Sequence, residues 1–558
     1  MGLADACADL DDLGRRDTFL FEERTHFFKT AAALRADKLD EVREPLVRYR
    51  QSVWVSVGES QSQWAAMEAA LELVEQCGDF ERQLPDRARS MPALLDFYTG
   101  ALREVDRAHR EFEQAVAGLL LEPGPVQDVV THARGKYRRL SELMQATFMR
   151  YLEQGAWPVA GRLSNADVFE RFVAPTLKQS GTRVAYMHVD ALRYELGVAL
   201  EKLLAEDAPV VLSAALAQMP TITPVGMASL LPDAGTTLRL ANDGGNLVPY
   251  LGDMPVLTVA QRMDSFRRRL GVRFMEMRLG EFVQRSEVIP KEVDLLVLRS
   301  VEIDSQLEND PQETIGLLPK QLSRIRVAVN KLRAQGFAAV VIAADHGFHL
   351  NGSAEAGDVC MKPKGAWDYV AHDRMMLGQG LPDAHNVVLP SDRLGIRGDF
   401  AAAAMPRSLA PYSRGHLYFH GGASLQECVV PVLTLKLEAA APEPRKVAVT
   451  LSYKNGAKKV FTRRPVLEVV WATTDMFEQD RTLEILLEAH DAKGEVVGEP
   501  RGSMVDAASG LIHLQPNVRL AVPLKMSDDF EGRMTVKVLN PQTLVAYQSL
   551  ALDTEYNA

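Results

Sequence analysis

The sequence predicts a multidomain α/β protein. A helical region comes first, then a central sheet covered by helices on both faces, then a β-sandwich. Three observations predict this. Residues 1 to 178 repeat apolar positions at three and four spacing. From Thr182, short runs of valine, leucine and isoleucine alternate with amphipathic stretches. From residue 446 the pattern turns to period two. The expected units are therefore 1–178, 179–438 and 446–558, in keeping with 558 residues at roughly 150 per domain.

Composition bounds the function. Hydrophobic residues make up 47% and charged residues 25%, which excludes a disordered, collagen-like or disulfide-scaffold chain. Lys and Arg number 63 against 74 Asp and Glu, a net charge of −11. Such a chain is not a bulk electrostatic nucleic-acid binder, though a local basic groove is compatible with it. Cys7, Cys77, Cys360 and Cys428 are far apart and form no CxxC pair. That argues against a thiolate zinc site or a disulfide framework and for reduced thiols. The N-terminus has no apolar stretch behind a basic flank, and no apolar run approaches the roughly 20 residues of a membrane span. The expectation is a soluble cytoplasmic protein with no membrane partner.

In the first region, Gln63 to Val74 and Leu94 to Leu120 carry the helical period. Glu122-Pro123-Gly124-Pro125 breaks it. A helical bundle follows, with the basic patch Arg134 to Arg139 read as a solvated helix face. In the second region the strand runs are Arg183 to Val189, Pro209 to Leu216, Val293 to Leu298, Ala338 to Ala344, Val387 to Leu389 and Val429 to Leu435. Helical patterns at Leu192 to Leu204 and Leu317 to Leu332 lie between them. After the linker Ala439 to Pro444, period-two runs recur at Val447, Val466, Leu483, Val518 and Met534. Turn signals at Lys454-Asn455-Gly456 and Asp491 to Gly494 separate them.

Ligands of such sheets gather at the carboxyl ends of strands. Asp190, Asp345-His346-Gly347 and His420-Gly421-Gly422 end strands, and Asp304 follows one by six residues. A single aspartate there caps a helix as readily as it does chemistry. Several converging carboxylates must repel or bind metal. Aspartate with imidazole suits zinc, and oxygen-rich sets admit manganese or magnesium. In Pro220-Thr221-Ile222-Thr223-Pro224-Val225-Gly226, a threonine leads into a small-residue helix with Pro224 in its first turn. Its hydroxyl is either an N-cap or a metal-activated nucleophile at a helix N-terminus.

The order of Asp190, PTITPVGMASLLP, Asp345-His346-Gly347 and His420-Gly421-Gly422, with Glu427 and Pro431 after it, resembles the PglZ domain of the alkaline phosphatase superfamily. VDALRYE at 189–195 and HGGASLQECVVPVL at 420–433 are especially similar to it. The resemblance covers about residues 180 to 436, and the flanking layout is similar to the PglZ proteins of BREX phage-defence systems. It implies an alkaline phosphatase-like central domain and a two-metal phosphohydrolase. One divalent ion falls to Asp190, Asp345, His346 and Thr223, the other to Asp304, Glu308 and His420.

Zinc is the implied metal. Glu308 stands where phosphodiesterase relatives carry histidine, which shifts preference toward manganese or magnesium. Thr223 is the implied nucleophile and Thr221 the fallback. The implied reaction is phosphodiester or phosphomonoester hydrolysis through a covalent phosphothreonine. Nucleic acid or nucleotide is the substrate, and other defence-system proteins are the partners. A rival reading is a non-catalytic scaffold with a vestigial metal site, and a third is a mutase. Among the remaining residues, Arg193 is expected to face solvent on a helix, and His188, His349 and His416 are read as ordinary packing residues, with support of a ligand from behind as the other reading for His188, assistance to a metal for His349 and an alternate ligand for His416.

Overall fold

The computed structural model describes residues 18–49, 52–54, 59–117, 119, 124–179, 181–284, 288–352, 359–415, 417–438, 447–473, 482–492, 496–506, 510–527, 529–541 and 545–556. Cys7, Glu122-Pro123, His416 and the linker at 439–444 lie outside them.

The helical period resolves into α1 (Leu20–Arg35), α2 (Ser60–Arg87), α3 (Glu104–Val116) and α4 (Pro125–Gln154), with shorter helices between. Pro125 opens α4 in the first turn, where its missing N–H costs nothing. The basic patch lies on α4. Its charges are used within the bundle, Arg134 pairing with Glu113, Lys136 with Asp37 and Arg139 with Glu81.

Seven strands form the central sheet: β1 (Leu163–Ser164), β2 (Val184–Val189), β3 (Val210–Leu216), β4 (Phe274–Arg278), β5 (Leu295–Ser300), β6 (Ala339–Ala344) and β7 (Val429–Lys436). Their order is β1-β3-β7-β6-β2-β5-β4. The strands run parallel except β7, which is antiparallel to both β3 and β6. All six residues of β2 are buried, as a strand covered on both faces requires. The accompanying helices include α5 (Tyr194–Ala205), α6 (Thr223–Ser229), α7 (Glu302–Asn309) and α8 (Leu318–Ala334).

Two strands of this sheet, β1 and β4, carry no apolar run in the sequence. The run Val387 to Leu389, expected in this sheet, belongs elsewhere. It sits in Asn386–Pro390, one strand of a separate four-stranded antiparallel sheet with Gly365–Ala371, Met375–Gly380 and Ala402–Pro406. A short apolar run records burial and not which strand it pairs with.

The cores do not divide where the sequence texture changes. One spans Leu163 to Leu437. The other starts at Phe27, runs through the bundle and continues into Ile222, Ala371, Met405 and Val429. Polar groups also tie the bundle to the sheet. The Asp106 carboxylate of α3 accepts from Tyr98 Oη at 2.7 Å, Tyr137 Oη at 2.8 Å and Gln426 Nε2 at 3.2 Å. Arg193 does not face solvent. It is the buried cap residue before α5, and it donates to the Asp106 carbonyl at 3.2 Å and Glu195 at 2.7 Å. Glu195 also accepts from Arg110 at 3.1 Å. Burial alone would raise the Glu195 carboxyl, but Arg110 and Arg193 outweigh it and hold it below its ordinary range.

The C-terminal region is β-rich around its own core. Its nine strands link edge to edge, because Arg519–Met526 pairs first with Val466–Ala472 and then with Val496–Pro500. The two layers expected of a sandwich are thereby joined. Lys320 of α8 reaches this unit at Glu488 and Glu499, 3.1 and 2.8 Å away. Among the described residues, no helix is long and apolar enough to cross a membrane.

Removing Glu195 would leave two buried guanidinium groups without their shared carboxylate. Glu195→Ala is expected to cost about 3–5 kcal/mol, read by chemical denaturation of the full chain. Glu111→Ala, which removes the more exposed partner of Arg110, is expected to cost no more than about 1 kcal/mol in the same measurement.

Candidate metal centre

Sheet topology delivers the predicted residues to one place. Asp190 follows β2, Asp345 and His346 follow β6, Asp304 lies on the helix after β5, and Thr223 follows β3. His420 directly follows the short strand Tyr418–Phe419, which pairs with His349–Leu350 outside the central sheet, and it lies nine residues before β7. Because β7 is antiparallel, its start lies at the same edge where its neighbours end.

The inner donors are Asp190, Asp345, His346 and Thr223. His346 Nε2 lies 3.5 Å from Asp190 Oδ1, 3.4 Å from Asp345 Oδ2 and 3.3 Å from Thr223 Oγ1. Thr223 Oγ1 is 3.4 Å from Asp190 Oδ1. Neither residue caps a helix. Ile222 is the cap of α6 and Arg193 that of α5, so both side chains are released toward the centre. The Ala191 N–H donates to Asp345 Oδ1 at 3.1 Å, from a residue held in the left-handed region at φ 55°. Gly226 of α6 abuts Asp345 directly. A Cβ there would lie 2.8 Å from the Asp345 carbonyl oxygen, so only glycine brings the threonine helix this close.

The outer donors are Asp304, Glu308 and His420. His420 Nε2 is 3.5 Å from Asp304 Oδ1 and 3.7 Å from Glu308 Oε1. Asp304 and Glu308 sit four apart on α7, hence on one helix face. The His346 and His420 rings stack at 4.1 Å, and donor atoms of Asp304, His346 and His420 lie within 4.8 Å of one another, so the two sets are contiguous. Tyr418 Oη donates to Asp304. Glu427, known from the sequence only as part of the motif, accepts from Arg374 at 2.9 Å and from the Gly422 N–H at 2.8 Å. It thereby pins the loop that carries His420.

The donor chemistry fits cations. His346 Nδ1 faces the Gly347 carbonyl at 3.1 Å, and His420 Nδ1 faces the Thr221 carbonyl at 2.9 Å. A carbonyl accepts, so each Nδ1 holds the proton and each Nε2 presents a lone pair to carboxylate oxygens. Acceptors facing acceptors repel unless a cation lies between them. Donors each about 2.1 Å from a tetrahedral ion stand about 3.4 Å apart, close to the separations found. Asp345 Oδ2 and His420 Nε2 are, among the described residues, buried without a hydrogen-bond partner.

The titration behaviour agrees. Burial, then Asp345 and Asp304, pushes the Asp190 carboxyl well above its ordinary range. Burial pushes Asp345 up to about 7 and raises Asp304. Burial and His420 hold His346 well below the usual histidine value, so a proton does not substitute for a cation there. His420 behaves differently: burial alone would lower it, but Glu308 and Asp304 raise it, so there a proton competes with a cation for Nε2.

Not every noted residue joins the centre. Thr221 is buried, its hydroxyl donating to the Gly422 carbonyl at 2.9 Å and accepting from the Gly421 N–H at 3.0 Å. His188 packs edge-on against Tyr186 at 4.4 Å, among aromatic rings. His349 lies in a short strand, against Phe419 and Tyr137. His372 was missed by the sequence reading. It sits with Glu308 and His420, their donor atoms within 4.8 Å of one another. Its only sequence signal is a histidine between two short β patterns, too little to place it.

Residues 168–435 match a family model described as the BREX system PglZ alkaline phosphatase-like domain. The chain is 23% identical over 431 residues to the alkaline phosphatase-like protein PglZ of Bacillus cereus, covering 73% of this chain and 49% of that protein. It is 24% identical over 310 residues to the alkaline phosphatase-like protein BrxZ of Escherichia coli, covering 52% and 35%. It therefore spans about half or less of the length of these relatives. Among solved structures, murine ectonucleotide pyrophosphatase/phosphodiesterase 5, an inactive variant in complex with AMP, is 10% identical. It has a TM-score of 0.31 and covers 45% of this chain and 87% of that one.

If cations relieve the carboxylate burial, Asp345→Asn should be more stable than the wild type in chelator at pH 8. Asp345 titrates higher folded than unfolded, so the wild type regains stability as pH falls through about 7 toward about 4. The advantage of the variant should shrink over that window. Saturating zinc should reverse the order at pH 8, as read by thermal unfolding with and without metal.

Proposed function

Because residues 168–435 are a PglZ domain, the alkaline phosphatase-like domain of BREX systems, we propose that the chain is a metal-dependent phosphohydrolase, acting as a phosphodiesterase through Thr223. The observation that carries the reading is the Thr223 hydroxyl, 3.4 Å from Asp190 and 3.3 Å from His346, beside two further donor groups that share His420, one with Asp304 and His346 and one with Glu308 and His372. Asp190, Asp345, His346 and Thr223 would hold one divalent ion, and Asp304, Glu308 and His420 the other, with zinc as the first choice of metal. Bound there, the ions would supply Lewis acidity that lowers the hydroxyl pKa and offsets charge on the phosphoryl oxygens.

The chain's own residues set the rest. The Thr223 hydroxyl donates toward Asp190 Oδ1, which turns its lone pairs away from that carboxylate. Thr223 Oγ1 gives up its proton and bonds to phosphorus as the bond to the leaving oxygen breaks, and the leaving oxygen takes up a proton in exchange. Water then attacks the phosphothreonine, restoring the hydroxyl and releasing the phosphate product. Thr223 and Glu308 are partly exposed while Asp190, Asp345 and His346 are buried, so substrate enters from the Glu308 side.

Nucleic acid or nucleotide diesters are the proposed substrates. Other proteins of a BREX-type system are the proposed partners, and the cytoplasm the proposed location. With a net charge of −11, nucleic acid would be met by local positive charge, at the centre or in a basic groove, and not by bulk electrostatics.

Thr223→Ala is expected to lower turnover of bis(4-nitrophenyl) phosphate by on the order of a thousandfold or more, with Thr221→Ser close to wild type. Acid-quenched wild type should carry a phosphothreonine by mass spectrometry. Full activity in Thr223→Ala would reject the nucleophile. A folded, metal-loaded wild type inert toward diesters and monoesters would instead be the scaffold.

A further inference from the structure

Strands Gly365–Ala371 and Met375–Gly380 form a hairpin in which Ala371 pairs with Met375, leaving His372-Asp373-Arg374 as its tip. His372 and Asp373 stand at φ 42° and 53°, in the left-handed region that glycine ordinarily fills. The tip is anchored on several sides. Arg374 donates to Glu427 at 2.9 Å and to the Leu409 carbonyl at 2.8 Å. Asp373 accepts from Ser413 Oγ at 2.7 Å, and its carbonyl accepts the Tyr412 N–H at 2.7 Å.

This anchoring brings the His372 ring to 4.4 Å from that of His420. A donor nitrogen of His372 lies within 4.8 Å of donor atoms on both Glu308 and His420. Gly421 makes room for it. A Cβ there would stand 3.1 Å from His372 Cβ and 3.0 Å from the Ala371 carbonyl.

We propose that His372 is a protein ligand of the outer cation together with Asp304, Glu308 and His420, and that it makes this site the zinc-preferring one of the pair. The inference rests on the two-cation reading above and deepens it. With His372 the outer set offers two carboxylates and two imidazoles. The inner set offers two carboxylates, one imidazole and one hydroxyl. Imidazole suits zinc, while oxygen-rich sets suit manganese or magnesium. The imidazole lost where Glu308 replaces histidine is thereby restored from another element of the fold.

The test is calorimetric titration of the chelator-treated full chain with Zn²⁺ alone and with Mn²⁺ alone, supported by Co²⁺ absorption spectra. Wild type is expected to bind two Zn²⁺. His372→Ala and His372→Asn should each weaken one Zn²⁺ by about 100-fold or more, leave the other in place and change the Co²⁺ spectrum. Asp190→Asn should weaken the other one. His372→Asn guards against misfolding, since asparagine tolerates the turn. Both His372 variants binding two Zn²⁺ with wild-type affinity and an unchanged Co²⁺ spectrum would overturn the assignment, even with slowed turnover, and would leave the two-cation reading standing. A wild type that takes up no cation would overturn both.

Discussion

Buried carboxylates repel one another and resist ionisation, yet the fold holds Asp190, Asp345 and Asp304 together at one sheet edge. None of the three chose its place by local preference. Each is carried there by a strand whose hydrogen bonds and apolar contacts are shared with several neighbours, and β2, β5 and β6 are packed from both faces. The many small contributions of the sheet outweigh a local electrostatic cost of a few kcal/mol. The residues that complete the centre respond to that cost. Imidazoles are turned Nε2-first toward the acids, and a threonine hydroxyl is left free of any capping duty.

The helical region is part of this scaffold. Asp106 and Arg110 of α3 reach the buried turn that carries Arg193 and Glu195, just past Asp190. Asp106 also accepts from Gln426, and Gln145 of α4 donates to the Ala423 carbonyl at 2.9 Å. Both contacts lie in the loop that carries His420. The bundle thus braces from behind the two loops that follow Asp190 and His420, and its core runs on into the sheet instead of closing at residue 178. The C-terminal β-rich unit differs. Among the described residues, Lys320 on α8 makes ionic contact with it, and none of the clustered donors comes from it.

What was legible in the sequence follows from how local each signal is. Asp190 and Asp345-His346 could be read because each ends an unbroken apolar run, and a strand end in a parallel sheet has one functional edge. Asp304, Glu308 and Thr223 needed the order of motifs, since their own neighbourhoods look like ordinary helix starts. Choosing between Thr221 and Thr223 was harder, for the difference lies in contacts to Gly421 and Gly422, about two hundred residues away. Arg193 was misplaced for the same reason. Helical periodicity shows an outer face but not the acids of α3 that cover it. His372 left almost no trace, because glycines at 378 and 380 blur the hairpin pattern.

Glu308 looked like a defect, and the geometry changes what that departure means. Asp304 and Glu308 occupy successive turns of α7, and the Glu308 carboxylate comes to 3.7 Å from His420 Nε2, presenting oxygen at that point of the centre. A site decaying toward inertness would be expected to lose its supports as well. Here the supports persist: Tyr418 donates to Asp304, the Thr221 carbonyl fixes the His420 tautomer, and Arg374 with Glu427 secures both the His420 loop and the hairpin tip. Maintaining a buried ion pair and two left-handed residues around the outer donors costs stability. These contacts hold Asp304, His420 and the hairpin tip in place from a helix, a loop and a hairpin at once.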